Sequence, residues 1–258
     1  MKRLHYKILG KGEPIIILHG LFGMLDNWKS FARSMASDYQ LILVDQRNHG
    51  RSFHDPEMNY ALMAKDLESL MNSLEIDRAN LIGHSMGGKT AMQFAKDFST
   101  RVDQLVVVDI GPQAYPPGHG FIFDALKAVP VNEIGSRAEA EEILAKSISE
   151  KSIQLFLLKN LKRDSNGNYG WRMNLKAIEN HYEEILSGIE INERIKAPTL
   201  FVNGTRSSYI REEDEETIRN KFQEVEFQHL ETGHWVHAER PKELEQCIRQ
   251  FLQKDVEK

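Results

Sequence analysis

Residues 79–95, ANLIGHSMGGKTAMQFA, join a short apolar run to a helix-like repeat through a Gly-x-Ser-x-Gly turn. The run is too short for a helix and reads as a buried strand, while Ala91, Phe94 and Ala95 recur at helical spacing. A serine at such a junction sits on a sharp, strained turn with its Oγ exposed. Side chains at Gly83 and Gly87 would clash where the strand and helix approach closely, which gives both glycines a steric reason. The motif alone is weak evidence, and this strand-before, helix-after context is what makes it informative.

The same rhythm extends through the first half of the chain. PIIILHG (14–20), YQLILVD (39–45) and VDQLVVVD (102–109) are continuous apolar runs like ANLIGHS (79–85). Between them Met63, Leu67, Leu70, Met71 and Leu74 mark an amphipathic helix whose stripe is a core face. Short buried strands alternating with helices predict an α/β chain with a mostly parallel twisted sheet flanked by helices. After Asp109 the rhythm breaks at IGPQAYPPGHG (110–120), dense in Gly and Pro. Helical patterns then fill the chain to about residue 188, interrupted by RDSNGNYGWRM with its Asn-Gly turn signal. APTLFVNG (197–204) and VEFQHLETG (225–233) restore the strand pattern, and PKELEQCIRQFL closes with a helix opened by Pro241. The expected division is a core of residues 1–111 and 189–258, with a helical cap, 112–188, inserted into it.

With 258 residues, one such domain has ample chain to bury a core. The net charge of −5 supplies no basic footprint, so a nucleic-acid partner is not expected. The single cysteine, Cys247, allows no intrachain disulfide framework, fits a reducing compartment and reads as a small apolar residue of a helix. The first residues carry no apolar signal-peptide core, and no run reaches the ~20 residues that span a bilayer. A cytoplasmic protein without membrane insertion is expected. No His/Cys/Asp/Glu cluster shows metal-ligand spacing, and no Gly-x-Gly-x-x-Gly follows a strand, so neither a metal nor another cofactor is expected.

If Ser85 is a nucleophile, two backbone N–H groups must face the developing oxyanion. Met86, which follows the serine, supplies one. The loop LHGLFG (18–23) supplies the other, from Leu21 or, as the alternative, Phe22.

HGLFG, DQRNHGRS, GHSMGG and GHWVHAERP, in this order, resemble the α/β-hydrolase superfamily, and most closely the YbfF-type serine esterases. The resemblance covers nearly the whole chain and implies an α/β-hydrolase fold with a helical cap after the sixth strand. The N-terminus looks short for the family's eight strands. The family's chain order of serine, acid, histidine removes every histidine before Ser85 as general base. His119 and His181 fall in the insertion and His229 within a strand pattern, which leaves His234 ahead of His237. His19, His49 and His84 read as polar residues bracing turns. The usual position of the acid falls near Ser207, and the first carboxylate beyond it, Glu212, already begins a helix. Asp109, closing an apolar strand, is the expected acid, because a carboxylate buried there needs a partner and a histidine N–H provides one. Asp45 is assigned to a scaffold turn, and Arg47 is expected to reach at most the edge of the site.

The expected chemistry is acyl transfer to water by a serine esterase with Ser85, His234 and Asp109 as nucleophile, base and acid. Perhydrolase, C–C hydrolase or lyase chemistry would use similar residues, and a receptor-like binding protein is the reading from another class. Phe22, Tyr115, Phe121, Phe123 and Leu126 are expected to line or cover an apolar acyl pocket, with Tyr209 and Trp235 near its rim. Arg172 is expected to meet an anionic leaving group such as coenzyme A. The resemblance implies short- to medium-chain acyl esters as substrates, with acyl-CoA thioesters beside them, and a monomer or homodimer is expected.

Overall fold

The computed structural model describes residues 2–253. In chain order its elements begin with β1 (His5–Leu9), β2 (Glu13–Leu18), α1 (Lys29–Met35), β3 (Tyr39–Asp45), α2 (Tyr60–Ser73), β4 (Ala79–His84), α3 (Met86–Asp97) and β5 (Val102–Val108). Then come α4 (Gly120–Ala128), α5 (Arg137–Ala145), α6 (Lys151–Leu158), β6 (Leu161–Arg163), β7 (Tyr169–Trp171), α7 (Leu175–Asn180) and α8 (Tyr182–Leu186). The chain returns through β8 (Thr199–Gly204), α9 (Glu212–Arg219), β9 (Val225–Leu230), α10 (Val236–Glu239) and α11 (Pro241–Gln253).

Seven strands form one sheet in the order β1-β3-β2-β4-β5-β8-β9. Only β1 runs antiparallel to its neighbour; every other pairing is parallel. Parallel strands need both faces covered, which explains their near-continuous apolar sequences. On one face Ile16, Leu18, Leu81, Leu105 and Val107 pack against α2, α3 and the segment between β5 and β8. On the other, Ile15, Ile17, Ile82, Val106 and Val108 pack against α1 and α11. Helix α11 buries Leu244, Ile248, Phe251 and Leu252, one apolar stripe at helical spacing. Cys247 on the same helix is half-buried rather than fully enclosed.

The six sheet strands read from sequence all appear, trimmed at their ends. The seventh, β1, escaped that reading because an edge strand with exposed Tyr6 and Ile8 carries no buried run. The seven-stranded sheet is one short of the eight the resemblance implies, so the helical segment follows the fifth sheet strand of this chain rather than the sixth. Within that segment the Asn166-Gly167 turn closes a small hairpin, β6–β7, with Gly167 at φ 89°. The repeat 175–186 is not one helix but breaks at His181, whose ring N–H donates to the Pro56 carbonyl at 2.7 Å. That tertiary contact outweighs the local helical preference.

Lys89, on α3, fastens both ends of the 112–188 segment. Its buried ammonium donates to the carbonyls of Gln113 at 2.7 Å, of Leu186 at 3.4 Å and of Ser187. Nearby, the Tyr60 hydroxyl donates to Ile185 O at 2.6 Å. Among the described residues no helix is long and apolar enough to cross a membrane.

Candidate active site

The β4–α3 junction places Ser85 at φ 52°, ψ −122°, a conformation that costs a non-glycine residue about 1–3 kcal/mol. Surrounding packing enforces it. A Cβ on Gly83 would lie 2.3 Å from the Gly87 carbonyl oxygen, and one on Gly87 2.3 Å from that of Leu18. Any side chain at either position would push helix and strand apart. Ser85 N–H donates to Val108 O, which ties the turn to the end of β5.

Asp109 follows directly on β5, also in the left-handed region at φ 51°. Its carboxylate is fully buried and fully paired. Oδ1 accepts from Gly204 N–H at 2.9 Å, and Oδ2 accepts from the Ser207 hydroxyl and from His234 Nδ1–H, the latter at 2.7 Å. A buried carboxylate would otherwise carry a desolvation cost of several kcal/mol. His234 arrives on the loop after β9, its ring stacked on Tyr209 at a centroid distance of 4.2 Å. The Tyr115 hydroxyl fixes that platform by donating to Tyr209 O at 2.7 Å. From beneath, His84 donates Nε2–H to the backbone carbonyl of His234 at 2.8 Å. Burial above all, with His234 and His237 close by acting in the same direction, holds the His84 imidazole well below its usual range and so neutral.

Ser85 and His234 line one cavity of about 230 Å³, mostly apolar, together with Leu21, Phe22, His119 and Phe156. The 19–22 loop runs along its wall, so close that a Cβ on Gly20 would sit 3.2 Å from Ser85 Cβ. Among the described residues no backbone hydrogen bond engages the N–H of Leu21 or of Met86. Phe22 N–H, in contrast, donates to His49 Nε2 at 3.3 Å, which favours Leu21 over Phe22 as an oxyanion donor. His49 in turn donates Nδ1–H to Arg47 O, and His19 donates to Gly20 O while accepting from Gln46 N–H. Both rings therefore brace loops, and burial pushes them down to about 3 and about 4.

A family model described as the alpha/beta hydrolase fold matches residues 13–241. The chain belongs to the alpha/beta-hydrolase family. Its relatives include an sn-1-specific diacylglycerol lipase from Danio rerio, 41% identical, the match covering 95% of this chain and 80% of the relative. Esterase YbfF from Escherichia coli is 38% identical, with 93% of each chain covered. A solved structure described as a marine microorganism esterase superposes with a TM-score of 0.95 at 39% identity, over 97% of this chain and all of that one. Esterases and lipases are thus the company this hydrolase keeps, at identities well above those that show fold alone.

Four of the pocket residues expected from sequence, Phe22, Phe121, Tyr209 and Trp235, do line the Ser85 cavity. Others do not. Tyr115 lines a neighbouring cavity instead, its hydroxyl engaged with Gly111 N–H and Tyr209 O and its ring 4.8 Å from the Lys89 ammonium. Phe123 and Leu126 are core residues, Phe123 packing edge-on against Phe22 and Tyr182. Arg172 lines a separate polar cavity with Asp45 and Arg51, because the β6–β7 hairpin carries it away from Ser85. Arg47 does not reach the site edge, since Asp66 binds its guanidinium through two hydrogen bonds of 2.6 and 2.8 Å. Asp45 accepts from Leu25 N–H and Arg51 N–H, the scaffold role expected of it.

The sequence reading missed other lining residues, including His119, Ile153 and Phe156 from the inserted segment and Trp28 and His237 from the core. His237, the rejected rival of His234, stacks on Trp28 at 4.6 Å, and burial pushes it down to about 3. For the inserted residues no spacing relative to Ser85 could have signalled this, since their approach is set by tertiary packing alone. Ser207, set aside as the wrong residue type for an acid, contributes a hydroxyl to Asp109.

Proposed function

We propose that this carboxylic ester hydrolase works through a Ser85–His234–Asp109 triad and an acyl-enzyme. The observation that carries the reading is the 2.7 Å contact of His234 Nδ1 with Asp109 Oδ2, on a histidine that shares one cavity with a strained, partly accessible Ser85. With Nδ1–H given to the carboxylate, Nε2 is the nitrogen left to take the Ser85 proton. Ser85 Oγ attacks the ester carbonyl, and the tetrahedral oxyanion is held by Leu21 and Met86 N–H groups, each worth about 3–4 kcal/mol. Imidazolium then protonates the departing alcohol or thiol, and water attacks the acyl-enzyme by the same route in reverse.

Two features support small acyl groups. The cavity is smaller than the roughly 300–1,000 Å³ typical of pockets for drug-sized ligands. Its walls are largely apolar, Phe22, Ile122 and Leu157 among them. Short- to medium-chain acyl esters are the substrate class, with thioesters acceptable to the same mechanism because a thiolate leaves more readily than an alkoxide. The 112–188 segment acts as the cap that closes this pocket over the core formed by the flanking segments, of which residues 2–111 and 189–253 are described. The reading places the enzyme in the cytoplasm as a monomer or homodimer without a cofactor.

The test is a p-nitrophenyl butyrate assay with a pre-steady-state burst. Wild type should release p-nitrophenolate in a burst, and Ser85→Ala should lose both the burst and nearly all turnover. An active Ser85→Ala protein would end this reading.

A further inference from the structure

We infer that His119, supplied by the inserted segment, is a substrate-binding residue whose Nε2–H donates to a second oxygen of the substrate, outside the scissile carbonyl. The inference rests on the reading of the Ser85 cavity as the ester site. It starts from Tyr182, whose hydroxyl receives three approaches. Gly118 N–H reaches it at 3.2 Å, His119 N–H at 3.0 Å and His119 Nδ1 at 2.6 Å.

A phenol oxygen has two lone pairs and one hydrogen. The two backbone N–H groups fill the lone pairs. The hydroxyl hydrogen has no other acceptor among the described residues, so it goes to His119 Nδ1. That makes Nδ1 an acceptor and puts the ring's only proton on Nε2 when the imidazole is neutral. Burial, with the nearby His234 adding to it, keeps His119 below its ordinary range and therefore neutral near pH 7.

The ring lines the same cavity as Ser85 and His234, and it is held edge-on between Tyr182 and Phe22, with centroids at 5.7 and 6.4 Å. Its Nε2 makes no hydrogen bond within the described protein. In the same wall His84 is committed to the His234 carbonyl, His19 to the 20 and 46 backbone and Asn27 Oδ1 to Met24 N–H, whereas the buried Trp28 Nε1 and His237 Nδ1 have no hydrogen-bond partner among the described residues. His119 thus brings an uncommitted donor, its tautomer set by Tyr182, to the wall of a mostly apolar pocket. An apolar acyl or alkyl chain leaves such a donor unsatisfied, whereas an ether, hydroxyl or second carbonyl oxygen satisfies it. A site built around a buried donor discriminates strongly against analogues that lack the acceptor.

The experiment uses isosteric ester pairs that differ by one CH2-to-O exchange. p-Nitrophenyl butyrate against p-nitrophenyl methoxyacetate probes the acyl arm, and hexyl butyrate against 2-propoxyethyl butyrate probes the alcohol arm. The readout is the ratio of kcat/KM within each pair, so intrinsic reactivity and any loss of folded enzyme cancel between variants. In His119→Phe the preference for the oxygen-bearing member should fall about tenfold in one of the two pairs, the worth of one hydrogen bond. His119→Gln, which retains an N–H donor, should keep part of it. Tyr182→Phe, which frees Nδ1 to carry the proton, should lower the same ratio by about threefold. Unchanged ratios in both pairs for His119→Phe would overturn the inference while leaving the Ser85 mechanism untouched. A Ser85→Ala enzyme that still turned over would instead remove the reading on which the inference rests.

Discussion

Asp109 and His234 stand 125 residues apart in the chain and 2.7 Å apart in the fold, joined Oδ2 to Nδ1. Asp109 holds a left-handed backbone conformation at the end of β5, and His234 lies on the loop after β9, two strands away in the sheet. Replacing the carboxylate by an amide keeps the shape but offers His234 the wrong tautomer. Asp109→Asn should therefore lower kcat on p-nitrophenyl butyrate by about 10⁴-fold. A loss of less than tenfold would move the acid elsewhere.

Ser207 shares Asp109 Oδ2 with His234. Its removal leaves the carboxylate two partners, Gly204 N–H and His234. Ser207→Ala should reduce kcat by no more than about tenfold, the worth of one hydrogen bond to a charged group at the low end. Steady-state kinetics on the same ester decides it, and a loss comparable to that of Asp109→Asn would make Ser207 indispensable to the pair.

Gly83→Ala tests the packing behind the serine turn. The added Cβ would meet the Gly87 carbonyl at 2.3 Å, a backbone atom that cannot rotate away. Stability should fall by at least about 2 kcal/mol. Urea unfolding followed by circular dichroism should show an unchanged slope and a lower midpoint.

Acid should destabilise the protein through His19 and His49. Both are buried in neutral form, at about 4 and about 3 against a free value of 6.5. Between pH 6.5 and about 4 the unfolded chain binds protons that the folded chain refuses. Their contribution is therefore fully present above pH 6.5 and is lost as pH falls, with a slope approaching about 1.4 kcal/mol per pH unit for each histidine. Urea midpoints measured from pH 7 to 4.5 should fall accordingly. His49→Gln, which cannot charge, should flatten the decline; an equally steep decline in that variant would assign it to other groups.

The chain alone determined the layered α/β plan, because buried parallel strands must be continuous apolar runs and their covering helices must show a stripe. It also marked Ser85, since a strand-to-helix turn that tight tolerates only glycine at positions 83 and 87, and local sterics are written locally. The edge strand β1 stayed hidden, as its exposed residues leave no such imprint. Tertiary structure decided what lies across the sheet. Only the parallel β5–β8 and β8–β9 pairings carry Asp109, Ser207 and His234 to one end of neighbouring strands. Packing also reassigned the aromatic and charged residues that composition had made look alike. Tyr115 and Arg172 went to other cavities, Phe123 went to the core, and His119, in contact with the Tyr182 hydroxyl, came to the wall of the Ser85 cavity. Those outcomes depend on distances between segments far apart in sequence, and no spacing along the chain encodes such distances.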